Sequence, residues 1–211
     1  MAARVLAVSP HPDDEAVGCG GALRLHALAG ADVRTVFLTS GEAGGHGLGP
    51  AETRRVREGE AAAAAAALGL AGIDFWRLPD GRLTARAPTA RRLAGLLAAS
   101  DVDVVYVPHD GEQHADHRAA ARLVRRAVGY LPAGRRPRVL MCEVWTPLQR
   151  LDELVDISTV IDVKLAAIRS YASQCRVLRF DEALAGLARY RGEMHSWPGG
   201  DYAEAYQEMR W

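Results

Sequence analysis

The sequence predicts an α/β protein with a Rossmann-like three-layer fold, in which a mostly parallel, doubly wound sheet forms a single domain. Short apolar runs rich in β-branched residues alternate with segments whose apolar residues recur at helical spacing, which is typical of parallel sheets covered by helices. The length of 211 residues suits one core, and the composition, 49% hydrophobic and 25% charged, excludes disorder, collagen and coiled coil. We therefore expect residues 1–211 to form one domain.

Buried strands are predicted wherever an apolar run is too short for a helix. In chain order they are Arg4–Val8, Val33–Leu38, Ile73–Leu78, Val102–Val107 and Val139–Val144. Helical spacing predicts the helices Ala16–Ala29, Glu52–Leu68, Thr89–Ala99, His117–Tyr130, Val160–Ala172, Glu182–Arg191 and Ala203–Arg210. The run Ala61–Ala67 belongs to the second helix, because alanine is the best helix former and Gly69 can cap the end.

Two groups of acids and imidazoles follow the first and fourth predicted strands. In a doubly wound sheet with the order 3-2-1-4-5 these strands are neighbours, and ligands bind in the crevice beyond their carboxyl ends. The groups are Ser9-Pro10-His11-Pro12-Asp13-Asp14-Glu15 and His109-Asp110-Gly111-Glu112-Gln113-His114-Ala115-Asp116-His117. Each has an ordinary alternative, since acids are favoured at a helix N-terminus and paired histidines also occur on exposed helix starts. Their convergence on one crevice favours a shared site.

Charge and composition exclude several classes of function. The 26 basic and 26 acidic residues balance, so the chain has no global basic field for nucleic acid or an anionic membrane. No apolar stretch approaches the roughly 18 residues of a membrane helix, and the N-terminal run halted at Pro10 is no signal peptide. Three widely spaced cysteines, Cys19, Cys142 and Cys175, offer neither a disulfide framework nor a metal knuckle, so a reducing cytoplasm fits best.

Together the two groups resemble a His/Asp/His site for a divalent metal ion that keeps one position open for water. A metal ion there lowers the pKa of that water to about 7 and polarises a carbonyl group, which suits hydrolysis of an acyl bond. The reaction also needs a base beside the water and a donor for the developing oxyanion. Asp13 and His114 are the candidates, and the carboxylate of Asp116 is expected to hold that imidazole in one tautomer.

These residues resemble the LmbE-like (PIG-L) family of metal-dependent N-deacetylases. The resemblance rests on His11-Pro12-Asp13-Asp14-Glu15 paired with His114-Ala115-Asp116-His117, and on the intervening Thr39-Ser40-Gly41-Glu42-Ala43-Gly44. Weaker matches extend it over nearly the whole chain: Arg57-Glu58-Gly59-Glu60, Leu78-Pro79-Asp80-Gly81, Glu143-Val144-Trp145-Thr146-Pro147 and Tyr202-Ala203-Glu204-Ala205. Residues 1–211 would then be one LmbE-like deacetylase domain.

The resemblance implies roles for six residues of the two groups. The implied ligands of Zn²⁺, or of another divalent ion such as Fe²⁺, are His11, Asp14 and His117. Asp13 would take a proton from the water held by the metal. His114 would stabilise the tetrahedral oxyanion or protonate the departing amine, with Asp116 bonded to an imidazole behind it.

The resemblance also implies the substrate class and the assembly. The family's usual substrates are N-acetylglucosamine conjugates, which are cleaved to a free amine and acetate, so the implied function is removal of an N-acetyl or related acyl group from an amino sugar. Arg57 and Asp80 match positions that hold sugar hydroxyls in relatives. Relatives often form trimers or hexamers, which implies a homo-oligomer. Glu112 is a departure, because the family carries an aspartate or an aromatic residue there, and it affects substrate contacts rather than the metal.

Two other functions remain open from the sequence. Gly18-Cys19-Gly20-Gly21 invites a dinucleotide-binding interpretation, but the acids of this turn would repel a pyrophosphate, and small residues there also let the first helix pack on the sheet. A metal-dependent carbohydrate-binding or scaffolding module without turnover would keep the ligands but would not need Asp13 as a base. His109 and the glycine-rich loop Ser40–Ala51 either line the site or hold ordinary structural and surface positions.

Overall fold

A seven-stranded sheet in the order β3-β2-β1-β4-β5-β7-β6 forms the centre of the molecule. The structure is a computed structural model and describes residues 2–195 and 200–211. The strands are β1 (Arg4–Ser9), β2 (Asp32–Phe37), β3 (Gly72–Phe75), β4 (Val104–Pro108), β5 (Arg138–Cys142), β6 (Glu153–Asp156) and β7 (Ala203–Glu208). Strands β1 to β5 run parallel, as predicted and in the predicted order, whereas β7 pairs antiparallel with both β5 and β6.

Helices cover both faces of the sheet and complete the three layers. They are α1 (Asp14–Leu28), α2 (Pro50–Leu68), α3 (Ala87–Ala99), α4 (Ala115–Gly129), α5 (Ile161–Ser170), α6 (Ala172–Cys175) and α7 (Phe180–His195). On one face, Leu93 of α3 and Val124 of α4 share a core cluster with Val105 of the sheet. On the other face, α1, α2 and α5 enclose Phe37. Within the described ranges, no helix combines the length and the apolar character needed to cross a membrane.

The alanine-rich run lies within α2 and confirms the predicted helix. Ala61 and Ala64 are completely buried, because their small side chains let α2 pack closely on its neighbours. Gly69 ends the helix with a φ of 76°, a left-handed conformation that favours glycine, and its N–H bonds to carbonyl groups of the last turn.

The C-terminal segment is a strand, so the predicted helix Ala203–Arg210 is wrong. Alanine and glutamate favour helices, but β7 pairs on one side with β5 and on the other with β6, and this pairing overrides local propensity. Its side chains are also buried: Glu204 is 4% exposed and Tyr206 is 0% exposed. The sequence pattern also did not predict β6, which pairs with the mispredicted β7.

Helix α1 bends at Cys19, whose φ of −145° lies outside the helical range. Glycines beside the bend permit close packing. A Cβ on Gly18 would lie 2.6 Å from Sγ of Cys142, and one on Gly21 would lie 2.5 Å from Cγ2 of Ile157. Cys19 itself is buried in the core, as expected for a small packing residue. The interpretation of this stretch as a packing surface is confirmed.

Candidate active site

The polar groups that follow β1 and β4 converge at the carboxyl ends of these neighbouring strands. β1 leads into His11, and α1 begins at Asp14. From β4 the chain reaches His114 and His117 at the start of α4. The ring centroid of His114 lies 4.8 Å from the centroids of both His11 and His117, and the latter two lie 5.3 Å apart. The strand order therefore brings the two groups into one cluster.

Asp14 connects the two histidines that were predicted to share a metal ion with it. Its Oδ2 lies 3.2 Å from Nδ1 of His11, and its Oδ1 lies 3.3 Å from Nε2 of His117. The backbone N–H of His11 also donates to Oδ2 at 2.9 Å. All three side chains are buried, so these charges interact in a poorly screened environment.

The donor set fits a divalent metal ion. His117 is completely buried, and neither of its ring nitrogens forms a hydrogen bond within residues 2–195 and 200–211. Leaving buried nitrogens unpartnered is costly, whereas imidazole and carboxylate groups are ligands that Zn²⁺ and Fe²⁺ accept. One ligand atom each of His11, His114 and His117 lie within 4.8 Å of one another, and so do atoms of His11, Asp80 and Asp116. The predicted ligands thus belong to a wider cluster of donors around His11.

The charges of the cluster shift its titration strongly. Burial alone would raise the pKa of Asp14, but the charge of His117 and the contact with His11 hold that pKa well below its usual range. Burial would lower the pKa of His117, but the Asp14 carboxylate outweighs it and raises that pKa to about 9. Protons therefore compete for the imidazole lone pairs that a metal ion would use.

Asp13 occupies a strained position at the edge of the cluster. Its φ of 125° is one that residues other than glycine rarely adopt. Arg57 Nη2 donates to Oδ2 of Asp13 at 2.9 Å. Burial raises the pKa of Asp13 to about 6, even though the positive charge of Arg57 lowers it. Such a carboxylate is ionised at neutral pH and still accepts a proton readily, which suits a general base.

His114 presents a defined ring edge to the site. Its Nδ1 accepts the backbone N–H of Asp116 at 3.2 Å and so caps the N-terminus of α4. Because Nδ1 is the acceptor, the neutral ring carries its proton on Nε2. Burial, followed by the charges of His11 and His117, lowers the pKa of His114, which favours this neutral form. The ring can therefore donate one N–H to a bound oxygen atom.

Asp116 contacts a different imidazole from the expected one. Its Oδ2 accepts the N–H of Gly81 at 2.8 Å and its Oδ1 accepts the N–H of Leu83 at 3.0 Å. Its Oδ2 also lies 3.4 Å from Nε2 of His11. Its backbone N–H donates to the ring of His114, whereas its carboxylate is bonded to the loop around Gly81. The expected pairing of the Asp116 carboxylate with His114 is therefore not what the structure shows.

Arg57 was predicted to contact substrate, yet its guanidinium is engaged with the protein. Besides the bond to Asp13, Nη2 donates to the carbonyl of Pro12 at 2.5 Å and Nη1 donates to the carbonyl of Gly41 at 3.1 Å. Gly41 has a φ of 64°, and a Cβ there would collide with Nη1. Arg57 is 4% exposed and holds Asp13 and the glycine-rich loop together. A direct contact with substrate stays a prediction.

Asp80, the other predicted substrate contact, joins the cluster to the glycine-rich loop. Its Oδ1 lies 3.1 Å from Nε2 of His11, and its Oδ2 accepts the N–H of Ala43 at 2.8 Å. Its own N–H donates to Glu42 at 3.1 Å. Asp80 therefore contacts His11, a predicted metal ligand, and its contact with a sugar hydroxyl also stays a prediction.

The cluster borders a cavity of about 300 Å³, the lower end of the usual size for a small-molecule site, and His117 lies behind the residues that line it. The polar lining includes His11, Asp13, Asp14, Arg57, Asp80, His114 and Gln174. Apolar side chains form another part of the lining, namely Trp145, Val177, Leu178 and Phe180. Ala43, Gly44 and His46 also line the cavity, so the glycine-rich loop is part of its wall.

His109 has a structural position. Its Nε2 lies 2.7 Å from the carbonyl oxygen of Thr146, and its Nδ1 accepts the N–H of Gly111 at 3.1 Å. The ring is buried and both nitrogens have partners. The interpretation of His109 as a satisfied structural histidine is confirmed.

Two buried acids, Glu112 and Glu15, lie beside the cluster although neither was predicted as a site residue. Glu112 was expected to affect substrate contacts rather than the metal, but its carboxylate faces the predicted ligand His117. Glu112 accepts hydrogen bonds from the backbone of residues 144–146, and its Oε2 lies 3.6 Å from Nδ1 of His117. Glu15 accepts the hydroxyl of Tyr171 at 2.5 Å. Glu15 directly follows Asp14, and Glu112 lies two positions before His114, which is the local signal that the sequence offers. Their partners lie far along the chain, so their burial could not be predicted.

Residues 6–128, more than half of the chain, match the family described as PIG-L: GlcNAc-PI de-N-acetylase. The chain belongs to the PIG-L family. The resemblance predicted from the paired motifs is confirmed, since both motifs lie inside the matched residues.

The PIG-L proteins to which this chain is similar include a deacetylase and a hydratase. The chain is 30% identical over 224 residues to the diacetylchitobiose deacetylase of Thermococcus kodakarensis, a match that covers 95% of this chain and 81% of that protein. It is 33% identical over 190 residues to the 4-oxalmesaconate hydratase of Pseudomonas putida, covering 80% and 73%. A conserved protein of Thermus thermophilus has the same fold, with a TM-score of 0.86, 33% identity and coverage of 98% and 94%.

Proposed function

We propose that this PIG-L protein is a metal-dependent N-deacetylase that removes an acetyl or related acyl group from an amino sugar or glycoconjugate. The observation that carries the proposal is the shared cavity of Asp13, His114 and the cluster around His11 and Asp14. A base, an N–H donor and a set of metal ligands are together what amide hydrolysis requires. Similarity to the diacetylchitobiose deacetylase supports an N-acetylated sugar as the substrate.

The metal is proposed to be Zn²⁺ or Fe²⁺, held by His11, Asp14 and His117. These donors fit either ion, and the unpartnered ring nitrogens of His117 support a bound cation. When bound, such an ion supplies a Lewis acid that polarises the amide carbonyl and acidifies water. Asp14 contributes the negative charge that balances the ion, since its carboxylate lies between the two histidines.

Asp13 and His114 carry out the proton transfers and the charge stabilisation. The carboxylate of Asp13 accepts a proton from the attacking water, and Arg57 keeps that carboxylate oriented through the bond at 2.9 Å. The Nε2–H of His114 donates to the carbonyl oxygen as negative charge develops there. The C–N bond then breaks, and the departing amine takes a proton from Asp13 or His114. The products are a carboxylate and a free amine.

Hydration of an unsaturated acid is the second candidate function. The similarity to the 4-oxalmesaconate hydratase covers 80% of this chain at an identity comparable with that of the deacetylase. Hydration also needs a base that takes a proton from water, so Asp13 could serve either reaction. A binding module without turnover would have no use for a strained, half-buried carboxylate at this position, which disfavours that alternative.

The proposal also covers the organisation of the protein. We propose that residues 1–211 act as one deacetylase domain, that copies of the chain form a homo-oligomer, and that the protein works in a reducing cytoplasm. One sheet contains strands from Arg4 to Glu208, which supports a single domain. Exposed apolar side chains on α7, such as Tyr190 and Met194, offer surface for a second copy. Light scattering during gel filtration tests the oligomer.

The decisive experiment measures free amine released from a panel of N-acetylated sugars with fluorescamine, after chelation and after addition of Zn²⁺ or Fe²⁺. We expect at least one acetamido sugar to be cleaved only in the presence of metal. The same preparations are given 4-oxalmesaconate, whose hydration is followed by the loss of its conjugated absorbance. Hydration without amine release would replace the deacetylase with the second candidate. Metal binding with neither reaction would indicate a binding module.

A further inference from the structure

We propose that Glu112 is a positioning residue that determines which ring nitrogen of His117 faces the metal cluster. The inference rests on the metal site of the proposed function and is independent of the substrate. The ring of His117 lies between two carboxylates. Its Nε2 is 3.3 Å from Oδ1 of Asp14, on the side of the cluster, and its Nδ1 is 3.6 Å from Oε2 of Glu112.

Glu112 is held rigidly by the protein. It is 1% exposed, and its Oε1 accepts the backbone N–H groups of Val144, Trp145 and Thr146 at 2.8, 2.9 and 3.2 Å. Nε2 of His109 lies 3.7 Å from the same oxygen. Three converging N–H groups stabilise the ionised carboxylate and define its orientation. The other oxygen is therefore aimed at His117 by bonds that do not involve His117.

The second oxygen of Glu112 and the ring of His117 complement each other. Across the part of the chain that the structure describes, Oε2 of Glu112 has no hydrogen-bond partner, and neither does Nδ1 of His117. Both atoms are buried, and a buried polar atom without a partner costs free energy. A proton on Nδ1 gives the carboxylate a donor to face, so Glu112 favours that tautomer.

This tautomer leaves the lone pair on Nε2, the nitrogen that faces Asp14. Ligating histidines commonly carry their other N–H toward a carboxylate, which orients the ring and raises its basicity. Glu112 has this relation to His117, although it lies five positions earlier in the chain and before α4 begins. The loop that anchors it also contains Trp145, which lines the cavity. Glu112 thus ties the cavity wall to a metal ligand.

The test compares Zn²⁺ affinity in Glu112→Gln with that in a matched control. In the variant the amide oxygen can still accept the three N–H groups, but an NH₂ group then faces Nδ1 and favours the wrong tautomer. We expect the Kd for Zn²⁺ to rise by about 10- to 100-fold, measured by competition with a fluorescent chelator. The Co²⁺-loaded variant should also show an altered visible absorption spectrum.

Glu143→Gln is the matched control. Glu143 is buried in the same segment, where it accepts the N–H of Leu148 and pairs with Arg191, but it does not face His117. Its replacement should lower thermal stability without a comparable change in Zn²⁺ affinity. Equal Zn²⁺ affinity in Glu112→Gln and the wild type would overturn the proposal, and so would an equal loss in both variants.

Two further measurements test the proposal even if Glu112→Gln loses Zn²⁺ affinity because it misfolds. Glu112→Asp keeps the charge, so it should bind Zn²⁺ more tightly than Glu112→Gln; affinity no better than that would overturn the proposal. In zinc-loaded wild type, long-range ¹H–¹⁵N spectra should show Nδ1 of His117 protonated and Nε2 bound to metal. Ligation through Nδ1 would also overturn it. None of these readouts requires turnover, so absence of deacetylation would defeat the proposed function and leave this test intact.

Discussion

Asp13 and Arg57 form the ion pair on which the proposed chemistry depends most directly. Arg57 donates to both the carboxylate of Asp13 and the carbonyl of Pro12, the residue before it. These bonds hold a backbone conformation that Asp13 would otherwise avoid. The base is therefore positioned by a second side chain that itself has little access to solvent.

Asp13→Asn tests the proposed role of Asp13 as a base while it keeps the shape of the side chain and the predicted metal ligands. The amide has nearly the same shape but cannot take a proton from water, so we expect kcat to fall by about 10²- to 10⁴-fold. Metal content, measured by elemental analysis, should stay at the wild-type level because the two histidines contact Asp14 instead. Turnover equal to that of the wild type would contradict the assigned role.

Arg57→Gln should change the pH dependence of kcat/KM. The charge of Arg57 lowers the pKa of Asp13, so its removal raises that pKa above about 6. A higher pKa leaves less ionised base on the acid side, so the acid limb of the profile should move to higher pH. Activity should fall more at pH of about 6 than at about 8.

The control for this profile is Arg55→Gln, which replaces an exposed arginine on the same helix. Its acid limb should coincide with that of the wild type, since Arg55 does not contact Asp13 in the structure. If the acid side of the kcat/KM profile is unchanged in Arg57→Gln, Arg57 does not lower the pKa of the catalytic base.

The sequence could predict which groups would meet but not how each side chain would be oriented. His11, Asp14 and His117 could be placed together because their strands are neighbours in a doubly wound sheet. The inward turn of Arg57 depends on Gly41 of a long loop, and the orientation of Asp116 depends on backbone N–H groups around Gly81. Such contacts join segments that have no shared local pattern.

At the scale of elements, a buried ion pair joins α5, α1 and β7. Nζ of Lys164 donates to Glu204 at 2.5 Å and to the carbonyl of Val17 at 2.8 Å. Glu204 also accepts the N–H groups of Gly21 and Ala22, each at 2.8 Å. Strand β7, which was mispredicted as a helix, thus supplies the carboxylate that accepts the N–H groups of α1 beyond its bend.

Lys164→Met should destabilise the protein strongly. The substitution leaves the buried carboxylate of Glu204 without its counter-charge, which costs about 3–5 kcal/mol in the free energy of unfolding. Urea denaturation of the metal-free protein measures the change. The double variant Lys164→Met/Glu204→Gln should recover part of the loss because it removes the unpaired charge.

Arg169→Met is the comparison on the same helix. Arg169 is 59% exposed and pairs with Asp181, so its loss should cost only about 0–1 kcal/mol. A similar cost for both substitutions would show that burial of the Lys164 pair does not determine its contribution.

The predicted helix 203–210 is wrong because the pairing of β7 with two other strands could not be predicted from its local sequence. Alanine-rich strands are uncommon because alanine offers little side-chain surface to pack. In β7, Ala203 and Ala205 are nevertheless buried, and the strand contributes its larger surface through Tyr206. Antiparallel insertion between β5 and β6 is a long-range event, whereas the parallel strands β1 to β5 each carry their own apolar run.

At the scale of the whole molecule, metal binding and folding should be coupled. The predicted ligands follow β1 and lie at the starts of α1 and α4, so a metal ion bound by them would join the two halves of the sheet. At a free Zn²⁺ concentration of about 100 times the Kd, the free energy of unfolding should rise by about 2.7 kcal/mol. Differential scanning fluorimetry with and without a chelator measures the corresponding change in Tm.

His117→Ala provides the comparison for this coupling. It removes a ligand, so Zn²⁺ should no longer raise the Tm of the variant. A full Zn²⁺-dependent shift in His117→Ala would place the stabilising metal elsewhere on the protein.

Because α1 bends at Cys19, the part of the helix that carries Asp14 is oriented independently of the part beyond the bend. About one and a half turns of helix lie between Asp14 and the bend at Cys19. Beyond the bend, the N–H groups of Gly21 and Ala22 donate to the carboxylate of Glu204. The short part is oriented by its own attachments, Glu15 to Tyr171 and the carbonyl of Pro12 to Arg57. Mutations among these attachments should therefore change the direction of the Asp14 carboxylate while the rest of the helix keeps its place.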